Sequence, residues 1–253
     1  MPALRAVALL LVVLAALGPR PALAGDDDLV IEGLTQDQFR DLSRDLGLAI
    51  SAFQVAPAES LGMRLTVPHV DAGLEVTALD IDDDRDYWRR AIRDGSPPSF
   101  LVVPKLHVNI GLPLGLELGG LYGDVADSNI RLWGGEVKWA VIRGGAVWPA
   151  VALRGAHTEL AGVDELDLTS TSIDLSASKG LGPVTPYLGI GRVWVEAEPQ
   201  GAAAEPPAGL GEVRPTDDRL FAGARLRLGL LTVVAEGSWS RVPTYSVRLS
   251  LSF

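Results

Sequence analysis

The stretch Tyr245-Ser246-Val247-Arg248-Leu249-Ser250-Leu251-Ser252-Phe253 decides the fold. Its apolar side chains fall on odd positions and its polar ones on even positions. That alternation is the period of a strand whose two faces meet different surroundings. The polar face carries a charge, Arg248, and the apolar face is aromatic at both ends, Tyr245 and Phe253. Such a strand fits a sheet with a wet side and an apolar side.

The same parity runs back through the sequence to Val70. Val70, Leu74 and Val76 oppose Asp71, Glu75 and Thr77; Phe100, Leu106, Val108 and Ile110 oppose Lys105, His107 and Asn109. Leu114, Leu118 and Tyr122 oppose Glu117, and Trp133, Val137 and Trp139 oppose Glu136 and Lys138. Val147, Val151 and Leu153 oppose Arg154, and Ile173 and Leu175 oppose Asp174 and a row of serines. Val184 to Ala197 is a strand whose facing is ambiguous. Leu220, Leu226 and Leu228 oppose Arg225 and Arg227, and Leu231, Val233 and Trp239 oppose Glu236. With the terminal stretch this makes ten strands. Each is about as long as the ~9–11 residues of a tilted membrane strand, roughly twice the ~5–6 of an ordinary sheet.

The connections alternate as the strands do. Tight turns are predicted at Gly111-Leu112-Pro113, Arg143-Gly144-Gly145, Gly180 to Pro183 and around Leu230. Longer connections are predicted at Asp80 to Pro98, Asp124 to Ser128, Glu159 to Glu165, Glu198 to Asp217 and Arg241 to Thr244. Aromatic residues gather at two levels, Phe100, Tyr122, Trp133, Trp239 and Tyr245 toward the long loops, and Trp139, Tyr187 and Phe253 toward the tight turns.

Upstream of the strands, residues 1–24 have the form of a secretion signal. Arg5 precedes the apolar run Ala6 to Leu17, and Ala22-Leu23-Ala24 is a small-residue cleavage site. Residues 25–67 read as a separate segment. Thr35 and Gln38 form a capping-box pattern, and Phe39, Leu42 and Leu46 follow at helical spacing. The preferred reading is a small helix at the tight-turn rim, with a plug as the alternative. Leu46 to Ala52 and Met63 to Val67 also alternate and would bring the count to twelve. Pro57 and Pro68 favour ten, with Leu46 to Val67 under or inside the barrel.

Together the signal, the alternating strands over 68–253 and the terminal Phe253 resemble bacterial outer-membrane β-barrel proteins, with no named subfamily. The resemblance implies an all-β, single-chain, antiparallel up-and-down barrel of ten strands with a short N-terminal helix. It further implies export to the outer membrane and contact with outer-membrane lipid and lipopolysaccharide. Insertion by the barrel-assembly machinery is implied as well, with Tyr245 and Phe253 as its signal. On this topology tight turns face the periplasm and long loops face out.

The lumen then receives Glu75, Lys105, His107, Glu117, Glu136, Lys138, Arg154, Asp174, Arg225, Arg227, Glu236 and Arg248. Ten strands lie near the eight that side chains can fill. Charges of both signs point to a paired network rather than to the single-signed constriction of an ion path. A structural or surface-interaction role leads, with a narrow pore for a small solute as the alternative and a surface hydrolase as a minor one. The chain has no cysteine, three histidines and a net charge of −10. Thiol chemistry is excluded, and nucleic acid is disfavoured as a partner. No His-x-Ser or Asp-x-His element is present, and His157-Thr158-Glu159 is only a loose hydroxyl–His–acid echo. No catalytic residue, cofactor or resident metal is expected. Asp80, Asp82, Asp84 and Asp86 alternate in the first long loop like the opening of a calcium loop, but Arg85 and Ala91 stand where that loop needs Gly and Glu. They make at most a weak cation site.

Overall fold

A computed structural model describes residues 30–31, 33–64, 67–82, 84–92, 99–124, 130–206 and 209–253. The signal segment 1–24 lies outside the described residues. A two-residue ladder, β1 (Met63–Arg64) and β2 (Val67–Pro68), precedes ten long strands. These are β3 (Val70–Asp80), β4 (Phe100–Gly111), β5 (Leu116–Asp124), β6 (Arg131–Arg143) and β7 (Ala150–Ala161). They continue as β8 (Leu166–Ser178), β9 (Val184–Pro199), β10 (Thr216–Leu228), β11 (Leu231–Trp239) and β12 (Thr244–Ser252). Each pairs antiparallel with its sequence neighbour, and β12 pairs with β3, so the sheet is a closed barrel.

The terminal strand makes that closure. Its register sets Arg248 opposite Glu75 and Leu249 opposite Leu74. Phe253 and Val70 exchange both backbone hydrogen bonds, at 2.9 and 2.8 Å. Ser246, Arg248 and Ser250 are buried, and Leu249, Leu251 and Phe253 are exposed. The closed barrel is made by β3 to β12 alone and β1 pairs only with β2, so β1 and β2 are not barrel strands and twelve is not the count.

Two strand starts shift. Pro149 has no N–H for a ladder, so β7 begins at Ala150, and Val147 and Trp148 lie exposed in the turn before it. Leu114 falls in a single 3₁₀ turn after Pro113 rather than on β5. On β9 the ambiguous facing resolves: Leu188, Ile190 and Trp194 point outward, and Tyr187, Val193 and Val195 point inward. Tyr187 is therefore a lumen residue, not part of the lower aromatic girdle. Glycines at 189 and 191 hid the parity there.

Helix α1 (Gln36–Ile50) starts with the expected capping box, Thr35 with Gln38. Phe39, Leu42 and Leu48 on its apolar face are buried. It packs on β8 and β9 inside the barrel, where Gly47 lies so close to Val195 that a Cβ would sit 2.3 Å from a valine methyl. Its level is the long-loop mouth, not the tight-turn rim. Arg44 pairs with Asp217, Gln36 and Gly211 exchange two hydrogen bonds of 2.8 Å, and Arg241 reaches Asp41 at 3.1 Å. Helix α2 (Asp86–Ala91), in the first long loop, packs over it. Tyr87 Oη and Trp88 Nε1 both donate to Asp45 Oδ2, at 2.8 and 3.1 Å.

Candidate functional site

Eleven of the twelve sequence-derived lumen residues find partners on the inner wall, in one chain of contacts and several separate groups. Arg248 donates to Asp71 at 2.5 Å and to Asn109 at 2.7 Å. Asn109 donates to Glu136, which accepts from Arg154 at 2.7 Å. Arg154 reaches on to Asp174 at 2.7 Å, and Asp174 also takes Arg219 at 2.6 Å. Glu75 sits with His107 Nε2 at 3.0 Å and Lys105 Nζ at 3.8 Å. Glu117 pairs with Lys138 at 2.9 Å, and Glu236 accepts from Tyr187 at 2.8 Å. Arg225 pairs with Glu59 at 2.6 Å. Arg227, also expected inside, is exposed at the tight-turn mouth, because β10 ends one residue later.

A buried charge is costly unless it is paired and hydrogen-bonded. Each cation of this network therefore faces an acid. Several have donors left over, and these donors hold a segment of the same chain. Residues 51–61 run down the lumen from the end of α1. Lys105 donates to the Ser51 carbonyl at 2.9 Å, and Arg154 to the Ala52 and Phe53 carbonyls at 3.1 and 3.2 Å. Lys138 donates to the Pro57 and Glu59 carbonyls at 3.1 and 3.3 Å. In return, Val55 N–H donates to Glu236 at 3.1 Å, Glu59 N–H to Ser178 at 3.2 Å, and Leu61 N–H to Glu117. The Phe53 ring lies between Lys105 Nζ and the Arg219 guanidinium, 5.1 and 5.2 Å from its centre. These are cation–π distances.

Little open space remains beside this segment. A cavity of ≈ 40 Å³ adjoins Val55, Pro57 and Arg248. That is room for a few waters, each of which needs ~10–15 Å³ of such space. Toward the tight turns the lumen widens into a vestibule of ≈ 500 Å³ lined by Glu59, Leu61, His69, Arg225, Arg227 and Phe253.

The other singled-out residues do not assemble a site. Among the described residues no group of three metal-ligating side chains converges. Asp82 pairs with Arg85 at 2.8 Å and Asp84 with Arg89 at 2.5 Å, and Asp80 caps the strand end. Helix α2 has Arg85 at its N-cap, with no side-chain cap from Asp84. His157 contacts Thr171 at 2.8 Å and Glu159 at 3.4 Å on the outside of the barrel, half exposed, and Thr158 points inward. His69 Nδ1 meets the Leu61 carbonyl at 2.9 Å and anchors the foot of the threaded segment.

The outer surface supplies the remaining observation. Leu74, Leu188, Ile190, Leu220, Leu249 and Leu251 are each half exposed or more, and Leu106, Val137, Ile173 and Leu175 join them in a belt. Trp133 and Trp239, at 52% and 50% exposed, flank it on the long-loop side, and Trp139 and Phe253, at 47% and 63%, on the other. A soluble protein rarely exposes so continuous an apolar surface, and a membrane barrel requires it.

The chain is an outer-membrane-type β-barrel.

No helix among the described residues is long and apolar enough to cross a membrane. No protein-family model and no curated protein sequence matches the chain. Solved structures similar to it are bacterial outer-membrane barrels. The attachment invasion locus protein Ail of Yersinia pestis is 8% identical, over 74% of this chain and 97% of that one, with a TM-score of 0.32. The N-terminal β-barrel domain of Pseudomonas aeruginosa OprF is 12% identical, over 72% and 97%, with a TM-score of 0.34. The translocator domain of the Neisseria meningitidis autotransporter NalP is 12% identical, over 86% and 96%, with a TM-score of 0.35. At these overlaps the fold rests on this chain's own ladders and apolar belt.

Arg219, Asp71, Glu59 and the segment 51–61 were not among the sequence-derived site residues. Arg219 and Asp71 carry the right signal, since they share strand parity with Arg225 and Glu75. The segment's place under or inside the barrel was signalled by Pro57 and Pro68, but its contacts were not, because it is held largely through its backbone.

Proposed function

We propose that this protein is a plugged barrel of the bacterial outer membrane, with a structural or surface-interaction role and no conduction path. The observation that carries the reading is the occupation of the lumen by residues 51–61, whose carbonyls satisfy Lys105, Lys138 and Arg154. A solute path would have to displace that segment and leave those cations without their carbonyl partners. Their acids alone do not use every donor.

In this reading the long loops face outward and the tight turns face the periplasm. The apolar belt meets outer-membrane lipid, and the aromatic residues above it lie at the level of lipopolysaccharide. Residues 1–24 direct export and are then removed, and the barrel-assembly machinery inserts the chain by its last strand. No catalytic role is assigned to any residue. The His157, Thr171 and Glu159 contacts lie half open beside a hydrogen-bonded ladder, where the backbone N–H groups are already used and none is left to stabilise an oxyanion.

The test is conductance of the refolded full-length chain in planar bilayers. The expected result is an electrically silent protein at all voltages. Regular single-channel openings would overturn the plugged reading and restore the narrow-pore alternative.

A further inference from the structure

The two ends of the segment before the barrel lie at opposite mouths. Val30 N–H donates to the Ala91 carbonyl in the first long loop at 2.8 Å, and Gln36 is held by Gly211 in the loop between β9 and β10. His69 N–H donates to the Gly62 carbonyl and Gly111 N–H to the His69 carbonyl at 2.8 Å, beside the first tight turn. Between these points the chain passes once through the lumen.

We infer that Val30 and the start of α1 are displayed at the long-loop face, and that residues 51–62 form an eleventh passage, through the interior of the barrel. The inference rests on the outward orientation of the long loops proposed above and adds the sidedness of a segment that would otherwise be counted as periplasmic.

The path is fixed at three heights. At the top, Arg44 pairs with Asp217 and Asp45 takes Tyr87 and Trp88. At mid-height, Ala52 and Phe53 meet Arg154, whose other partner Asp174 is fully buried. At the foot, Glu59 pairs with Arg225 and Leu61 meets Glu117. The direction is therefore set by side chains of opposite charge at both ends, and reversal would break all of them. With cleavage after Ala24, residues 25–29 precede Val30. Five extended residues reach at most ~18 Å at ~3.6 Å each, less than the ~25 Å height of the apolar band. That length cannot return from Val30 to the periplasmic face. Val30 and Gln36 lie on the long-loop face beside α2 and the loop after β9.

The chain has no cysteine, so a single introduced thiol reports its own position. Gly33 is exposed, and a Cβ there meets nothing within 4 Å. Gly33→Cys is the primary variant, and Asp37→Cys, on the exposed first turn of α1, is the second. Ala202→Cys in a long loop and Leu181→Cys in a tight turn are the references, both at exposed positions. Each full-length variant is expressed with its export signal, and intact cells are treated with a membrane-impermeant maleimide. Gly33→Cys and Asp37→Cys are expected to label as readily as Ala202→Cys, and Leu181→Cys only after the outer membrane is opened. Labelling of Ala202→Cys alone on intact cells would overturn the eleventh passage and leave the barrel's orientation standing. Labelling of Leu181→Cys on intact cells with Ala202→Cys silent would overturn the orientation itself, and the display with it.

Discussion

Asp174 has no exposed surface and accepts from Arg154 on one side and Arg219 on the other. Removing one partner of a buried pair typically costs about 3–5 kcal/mol, because the remaining charge stays buried. Asp174→Ala leaves Arg219 without its acid while Arg154 keeps Glu136, so we predict a loss within that range, read as a lower denaturant midpoint for unfolding of the refolded barrel. An unchanged midpoint would mean that water, not Asp174, serves these arginines. Most of this residue-scale network is legible in the sequence. Parity placed Glu75, Lys105, His107, Glu117, Glu136, Lys138, Arg154, Asp174, Arg225, Glu236 and Arg248 inward, and there they stand. Tyr187 was misread because glycines leave a strand's facing undefined, and Arg227 because parity says nothing about where a lumen ends.

At the scale of elements, two contacts fix the ends of the molecule. Phe253 contributes the last backbone pair of the closing ladder with Val70. Deleting it is predicted to lower the amount of heat-modifiable barrel in the outer membrane while export continues, and an undiminished barrel would count against its role in assembly. At the other end, Asp45 lies under Tyr87 and Trp88. Burial raises its pKa above the ordinary 3.8, while the hydrogen bonds from Tyr87 and Trp88 lower it. Burial, then Asp45 itself, pushes the Tyr87 phenol up to about 12. A raised carboxyl pKa means that the folded state binds the proton more tightly than the unfolded one. Its stabilising contribution is complete below 3.8 and is lost as pH rises through the raised value. We expect the docking of α1 under α2, followed by amide protection in α1, to weaken over that interval in the native chain. Asp45→Asn should remove this dependence; its persistence would assign it to another group. A third contact is steric. Gly47→Ala places a methyl where the Val195 side chain already sits. Overpacking of this kind costs about 1–3 kcal/mol, so α1 should lose protection while the strands keep theirs. The helix itself is legible from its capping box and its apolar spacing. Its location is not, because an amphipathic helix of this length suits a rim and a lumen equally.

For the whole molecule, the alternation that begins at Phe253 and runs back to Val70 sufficed for ten strands and closure. The two longest connections, from β3 to β4 and from β9 to β10, fall on the expected face, but those from β7 to β8 and from β11 to β12 are shorter than the turn from β6 to β7 on the opposite face. The charge balance of the interior was legible too, as the sum of inward-facing parities. What filled the interior was legible in part: Pro57 and Pro68 kept Leu46 to Val67 out of the wall and placed it under or inside the barrel. The choice between the two was not, because lysine and arginine side chains grip backbone carbonyls, which every residue carries. The interior of this barrel is accordingly a protein core built from two sources, wall side chains and a threaded backbone. Both supply hydrogen-bond partners to the buried lysines and arginines of the wall. The most direct measurement is hydrogen exchange, resolved to the 51–61 segment, on the refolded full-length protein in detergent. The N–H groups of Val55, Glu59 and Leu61 donate to Glu236, Ser178 and Glu117 inside the wall. They are predicted to exchange as slowly as the amides of the neighbouring strands, since only sub-global opening frees them. Exchange of these amides at the rate of an unstructured peptide, with the strands still protected, would contradict the account.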